Sequence, residues 1–110
     1  MNKNLKNAKR ERNLEMYEAI LTLETVDECM RFFDDLCSVS ELRAMEQRYQ
    51  VARLLHEGHI YNTILELTGA SSATISRVNR SLMYGADGYE IAFKRLDEKK
   101  KQSESKNETK

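Results

Sequence analysis

Apolar residues recur every three or four positions along most of this chain, which is the spacing of one face of an α-helix. No stretch alternates apolar and polar residues as a half-buried β-strand would, and the chain contains no proline. The four glycines all lie in the second half, between stretches of helical periodicity. Since glycine favours turns and helix ends, the pattern predicts an all-α fold of six helical segments joined by tight turns.

The first three predicted helices each carry their apolar residues at helical spacing. We expect the first helix over roughly Ala8–Leu23. The second begins at Thr25–Glu28, a capping box in which a threonine oxygen and a glutamate satisfy free N–H groups. The third begins at Ser38 or Ser40 and stops at Gly58. This third helix is the longest and most regular, so we expect it to be the spine of the fold.

Residues 61–83 carry the pattern of two short helices separated by Gly69. In the second of these helices, Ile75, Val78 and Leu82 form one apolar stripe that can face back towards the first. Glycine tolerates the positive φ that a tight turn between them requires. Two short helices that cross steeply through such a turn form a helix-turn-helix, which we therefore predict at residues 61–83.

The opposite face of the second helix has the composition of a DNA-reading surface. Its first turns carry small side chains, which let the helix N-terminus approach base edges closely. Alanine can contact a thymine methyl group, hydroxyls can bind either type of base pair, and arginine can bind guanine or phosphate. We predict as DNA-binding residues Ser71, Ser72, Ala73, Thr74, Ser76, Arg77 and Arg80.

Both ends of the chain are polar. We expect residues 1–12 to form a basic, flexible arm, which either is simply solvated or adds contacts to phosphate. A last helix begins at Asp87 and carries apolar residues as far as Leu96. Residues 97–110 contain no apolar residue to offset the cost of ordering, so we expect a disordered charged tail. The helical DNA-binding domain is therefore predicted at residues 13–96.

The overall charge gives no support to DNA binding by itself. The chain has 18 basic and 18 acidic residues, so any contact with DNA depends on charge that is placed locally. Residues 13–58 are acidic and must face away from the phosphates. This acidic stretch keeps open an alternative of another class, a helical protein-interaction module that retains the fold without specific DNA binding.

Other kinds of site find little support in the sequence. His56 and His59 lack further ligands at metal-binding spacing, and no nucleophile or glycine-rich phosphate loop accompanies the carboxylates. We therefore expect no metal site, no catalytic residue and no enzymatic activity. Cys29 and Cys37 are expected to be small, buried or half-buried thiols. No apolar run approaches the roughly 18 residues of a membrane span, and no signal peptide is apparent, so we expect a cytoplasmic protein without membrane contact.

Two stretches of the chain, Glu46–Gly58 and Leu67–Leu82, resemble the Trp repressor family, and Ala73–Arg77 (Ala-Thr-Ile-Ser-Arg) is their most specific part. The resemblance covers about residues 14–96 and is greatest to the Trp-repressor-related group YerC/YecD. It implies a six-helix fold and an intertwined homodimer. The two recognition helices of the dimer would reach successive major grooves of a pseudo-palindromic site. Double-stranded DNA and a second copy of the chain are the partners that it implies.

The resemblance also implies base-proximal positions and part of a ligand pocket. Arg48 and Arg77 match the two arginines that sandwich the indole of bound tryptophan in the family, and Ser81 matches a residue near the ligand's amino group. Alternatively, Arg48 pairs with acidic residues and Arg77 contacts phosphate. The family has glycine where this chain has Val78, whose isopropyl group occupies space that the indole needs. We therefore expect no required cofactor, and a small-molecule corepressor, if one exists, other than tryptophan. The base-proximal positions are Ser72, Ala73, Thr74 and Ser76.

Overall fold

The computed structural model describes residues 10–108 of the chain, with side chains through residue 105. Residues 1–9 of the predicted arm and the last residues of the predicted tail lie outside this range. The described residues contain no strand, so the expected all-α class is confirmed. The predicted number of helices is also confirmed. The helices are α1 (Leu14–Leu21), α2 (Val26–Leu36), α3 (Val39–His56), α4 (Tyr61–Thr68), α5 (Ser72–Tyr84) and α6 (Gly88–Glu108).

Helix α1 begins later than the apolar pattern predicted. Residues 10–13 are not helical, and the residue before the first turn is Asn13, whose side chain accepts a hydrogen bond from the Met16 N–H at 3.1 Å. An asparagine at this position satisfies one of the donors that a helix start leaves free, so it defines the first turn. Ala8, the start expected from the sequence, lies outside the described residues.

The start of α2 and the end of α3 agree with the sequence. Thr25 Oγ1 accepts a hydrogen bond from the Glu28 N–H at 3.1 Å, as the capping box predicted. The Glu28 carboxylate accepts a second bond, at 2.8 Å, from the N–H of Glu24, one residue before the cap. Helix α3 ends at His56, and Gly58 follows with a φ of +94°.

The chain divides into two compact units, one ending at Val39 and the other beginning at Ser40. In the first unit, neither α1 nor α2 contains a buried residue. Its two phenylalanines, Phe32 and Phe33, contact each other edge to face with ring centroids 5.5 Å apart. This unit therefore leaves much apolar surface exposed in a single chain. The exposed large apolar residues are Leu14, Tyr17, Leu21, Val26, Met30, Leu36 and Val39.

The second unit contains the buried core of the described residues. Helix α3 contributes two adjacent small residues, and the other helices of this unit and the α4–α5 turn supply the rest. The partly buried Leu54, Leu55, Leu82 and Tyr89 pack against this cluster. Its buried members are Val51, Ala52, Ile64, Ala70, Ile75, Val78 and Phe93.

Phe93 attaches α6 to α3. Its side chain is completely buried, and its ring centroid lies 5.6 Å from that of Tyr49 and 4.9 Å from that of His56. The Arg53 guanidinium carbon lies 5.0 Å from the centroid of the same ring, a distance at which a cation is attracted to the π face. Three residues on successive turns of α3 thus surround one aromatic side chain of α6.

An ion pair extends this contact by one turn of α6. Arg53 Nη2 lies 3.0 Å from Asp97 Oδ1, and Arg53 Nε lies 3.2 Å from Glu57 Oε2. The hydrogen bond from Arg53 lowers the pKa of the Asp97 carboxyl, and the same bond raises the pKa of Arg53. Both partners are partly exposed, so water screens the pair, and the packing around Phe93 is the stronger part of the contact.

Helix α6 continues to Glu108, whereas the sequence predicted a disordered tail from residue 97. Asp97 is held by Arg53, so the helix is already anchored where the apolar residues end. The residues that follow are rich in lysine and glutamate, which have high intrinsic helix propensity. The expectation of disorder considered only the absence of burial.

No helix in the described part of the chain is long and apolar enough to cross a bilayer.

Replacement of Asp97 by asparagine should make the stability of the protein less dependent on pH. A carboxyl whose pKa is lowered by folding stabilises the fold above its unfolded pKa, about 3.9, and this contribution disappears as the pH falls through the folded-state value. At neutral pH the wild-type protein should therefore have a higher melting temperature than the Asp97→Asn variant. The difference between the two melting temperatures should shrink as the pH falls into the acid range. Thermal melts of both proteins from neutral to acid pH measure this difference. Glu98→Gln, which removes a charge one residue later, is the control, and a pH-independent difference would contradict the expectation.

Candidate nucleic-acid interface

Three residues, Gly69–Ser71, connect α4 to α5. Gly69 has a φ of +72° and donates its N–H to the Leu65 carbonyl at 2.9 Å, which confirms the turn predicted there. The Thr68 hydroxyl donates to the Ile64 carbonyl at 2.7 Å and accepts from the Ala70 N–H at 3.1 Å. Each of these bonds is local and joins residues at most four positions apart.

One contact to this turn comes from outside the helix pair. The side-chain amide of Gln47, on α3, donates a hydrogen bond of 3.1 Å to the carbonyl oxygen of Thr68. The bond is partly buried and joins residues 21 positions apart in the chain. Sequence reasoning missed Gln47, since a glutamine on a helix gives no sign of a partner so far along the chain.

The first turn of α5 is capped by Ser71. Its hydroxyl oxygen accepts a hydrogen bond from the Thr74 N–H at 3.1 Å, and it donates to the Thr74 hydroxyl at 3.1 Å. Thr74 is half-buried. Two of the residues that the sequence predicted for DNA binding, Ser71 and Thr74, therefore stabilise the start of the helix.

The remaining predicted DNA-binding residues share the exposed side of α5. Ile75 and Val78 are 0% and 2% exposed and occupy the opposite side, as the apolar stripe predicted. Among the described side chains, neither arginine of the exposed side makes an ion pair with an acidic residue, so both guanidinium groups keep their charge available. The residues on the exposed side are Ser72, Ala73, Ser76, Arg77 and Arg80.

Two of the three predicted pocket residues line a common depression. Arg77 and Ser81 line a shallow depression of about 230 Å³ on the second half of α5, together with Arg80, Tyr84 and Gly85. Arg48 is exposed on α3 and does not line this depression. Val78 belongs to the buried core.

The exposed side of α5 combines small polar side chains with two positive charges. Arg77 and Arg80 lie one turn apart on α5, which contains no acidic residue, and Glu66 on α4 is the one acid between residues 59 and 84. Within residues 10–105 no group of histidine, cysteine and carboxylate side chains could hold a metal ion. The arrangement can therefore offer hydroxyls, a methyl group, N–H groups of a helix start and guanidinium groups to a ligand.

Two short helices, a left-handed glycine between them and an exposed basic face on the second helix define a helix-turn-helix protein. A family model described as Trp repressor protein matches residues 11–97. The chain therefore belongs to the Trp repressor family, as the motifs predicted, and it has the fold of a DNA-binding regulator.

Similar proteins agree with this assignment. The chain is 50% identical over 92 residues to the uncharacterized protein YerC of Bacillus subtilis, covering 84% of this chain and 88% of that protein. It is also similar to two solved structures. A candidate Trp repressor from Staphylococcus aureus has a TM-score of 0.73 and 51% identity, over 76% of this chain and 83% of the other. A TrpR-like protein from Eubacterium eligens has a TM-score of 0.74 and 50% identity, over 76% and 87%.

Replacement of Ser71 by alanine should lower the free energy of unfolding by about 1 kcal/mol, because it removes the cap of α5. Urea denaturation measures this change. The matched control is Ser72→Ala, one residue later, where the exposed hydroxyl caps nothing and the effect should stay within about 0.5 kcal/mol. Equal effects of the two substitutions would show that Ser71 does not stabilise the helix start.

Proposed function

We propose that this protein is a sequence-specific, DNA-binding transcription regulator that acts as a homodimer on a pseudo-palindromic site in double-stranded DNA. The observation that carries the proposal is the exposed face of α5. Small side chains occupy its first turns, two arginines that pair with no acidic side chain among residues 10–105 follow, and the opposite side is buried in the core. Membership of the Trp repressor family supports the same function.

In this proposal, α5 enters the major groove with its N-terminal end towards the bases. Ser72 and Ala73 carry no bulky group that would prevent close approach, and the helix start offers N–H groups to phosphate. Ser76 lies one turn further along and can bind either type of base pair. Arg77 and Arg80 can then reach guanine or the phosphate backbone, since an arginine binds both through two parallel hydrogen bonds.

The exposed apolar side chains of α1 and α2 support the homodimer. A single chain leaves Leu21 84% exposed and Val26 75% exposed, and soluble monomers rarely show extended apolar surfaces of this kind. Covering them with a second copy would add the apolar burial that each small chain lacks. Two-fold symmetry would also present two copies of α5 to one DNA duplex.

We further propose that tryptophan does not control this protein. The side chain of Val78 packs in the core at the position where the family has glycine. Arg77 and Ser81 share a surface depression whose lining does not include Arg48. A different small molecule at this depression is the remaining form of ligand control, and none is required by the proposal.

Selection of bound duplexes from a random pool should yield a two-fold symmetric consensus. Arg77→Ala should then weaken binding to the selected duplex by about tenfold or more, the loss expected for one well-made arginine contact to a base. If Arg77 binds phosphate instead, the affinity should fall equally on all sequences and the salt dependence should flatten. Titration of the duplex by fluorescence anisotropy at several salt concentrations separates these results. Added L-tryptophan should leave the affinity unchanged.

The control is Arg95→Ala, which removes an exposed arginine from α6 and leaves α5 intact. It should retain most of the wild-type affinity for the selected duplex. Weak binding by the wild type that does not depend on sequence would contradict the proposal. It would favour instead the alternative function, a helical protein-interaction module.

Sedimentation equilibrium at micromolar concentration should show a dimer. Leu21→Glu should shift the protein towards monomer, because a charge would be buried at the contact, whereas it costs a single chain little at such an exposed position. Thr22→Glu, which places the same charge at the neighbouring exposed residue, is the control. A monomeric wild type would rule the homodimer out.

A further inference from the structure

We propose that Gln47 is a positioning residue for DNA recognition: it fixes the direction of α5 by holding the carbonyl group at the end of α4 against α3. The inference rests on the proposed function, because it assigns a role in reading DNA to a residue outside the reading face. Nothing in the spacing of the helix-turn-helix residues identifies it.

The end of α4 shows why this hydrogen bond matters. The last carbonyl groups of a helix have no partner within the helix, so each must be satisfied from elsewhere. The Leu65 carbonyl accepts the N–H of Gly69 at 2.9 Å. The Thr68 carbonyl, at the last position of the helix, accepts the side-chain amide of Gln47 at 3.1 Å. Gln47 thus supplies from α3 a donor that the turn itself does not provide.

The position of Thr68 is transmitted directly to α5. Only three residues separate Thr68 from Ser72, and each is constrained. Gly69 holds a left-handed conformation, Ala70 is buried and bonded to the Thr68 hydroxyl, and Ser71 is the cap of α5. A shift of the Thr68 carbonyl therefore moves the cap, and with it the first turn that carries the candidate base-reading residues.

Base reading and phosphate binding respond differently to such a shift. Hydrogen bonds to base edges need donor–acceptor distances of about 2.7–3.2 Å and good alignment. Attraction between arginines and the phosphate backbone acts over roughly 10 Å at moderate salt and tolerates a small displacement. Loss of the Gln47 bond should therefore reduce specific binding while leaving sequence-independent binding in place.

Gln47→Met tests the proposal, since methionine has a similar length and no amide donor. The matched control is Gln50→Met, the same substitution at an exposed position on the next turn of α3. Affinities for the selected duplex and for a scrambled duplex are measured at one salt concentration. Gln47→Met should lose about tenfold on the selected duplex, the factor that one partly buried hydrogen bond can supply, and less than about twofold on the scrambled one. Gln50→Met should match the wild type on both.

A second variant and a measurement without DNA keep the test decisive. Gln47→Glu has a carboxylate that cannot donate to the Thr68 carbonyl, so it should lose specificity as Gln47→Met does. Amide hydrogen exchange at Gly69 and Ala70 should be faster in both variants than in Gln50→Met, because the turn is released from α3. These exchange rates report on the turn even if a variant is too unstable for reliable binding data.

Any other result contradicts the proposal. An unchanged ratio of specific to non-specific affinity in Gln47→Met would overturn the role of Gln47 and leave the proposed function intact. An equal loss on both duplexes would show a general loss of folded protein rather than repositioning. A wild type without sequence preference would overturn the proposed function and with it the role in recognition, while unchanged exchange at the turn would show that Gln47 does not hold it.

Discussion

The burial of Ile75 and Val78 is the constraint on which the rest of the candidate interface depends. A helix turns once in 3.6 residues, so two buried positions on α5 determine the direction of every other side chain on it. With this side in the core, Arg77 and Arg80 must face solvent. A rotation that buried them would place two charges in an apolar environment without partners, at a cost far above that of any surface contact.

Helix α3 connects the helix pair α4–α5 to the remainder of the second unit. At Gln47 it holds the end of α4, and at Tyr49, Arg53 and His56 it surrounds Phe93 of α6. The two contacts differ in kind, since one is a hydrogen bond to backbone and the other is aromatic packing. One helix therefore contacts both the end of α4, three residues before α5, and the last helix, α6.

The parts of the fold that could be predicted from sequence are those that neighbouring residues determine. The hydrogen bonds within the turn at Gly69 and at the capped start of α2 join residues at most four apart, and the buried stripe of α5 repeats at helical spacing. Contacts such as Gln47 with Thr68 and Arg53 with Asp97 join residues 21 and 44 apart, and no local pattern records them. The helix beyond Asp97 was missed for a related reason, because its anchor is a residue of α3. In the candidate site, the exposed face followed from periodicity, whereas the depression that Arg77 and Ser81 share on α5 required coordinates.

The exposed face of α5 has a consequence for how such a protein can diverge. Ser72, Ala73, Ser76, Arg77 and Arg80 contribute nothing to the buried core, and substitutions at exposed positions of this kind usually change stability little. Selection can therefore alter these five side chains, and with them the preferred ligand, while the fold and its stability are retained. The cap at Ser71, the turn at Gly69 and the hydrogen bond from Gln47 hold the frame of the helix pair, and the exposed side chains of α5 can vary without disturbing it.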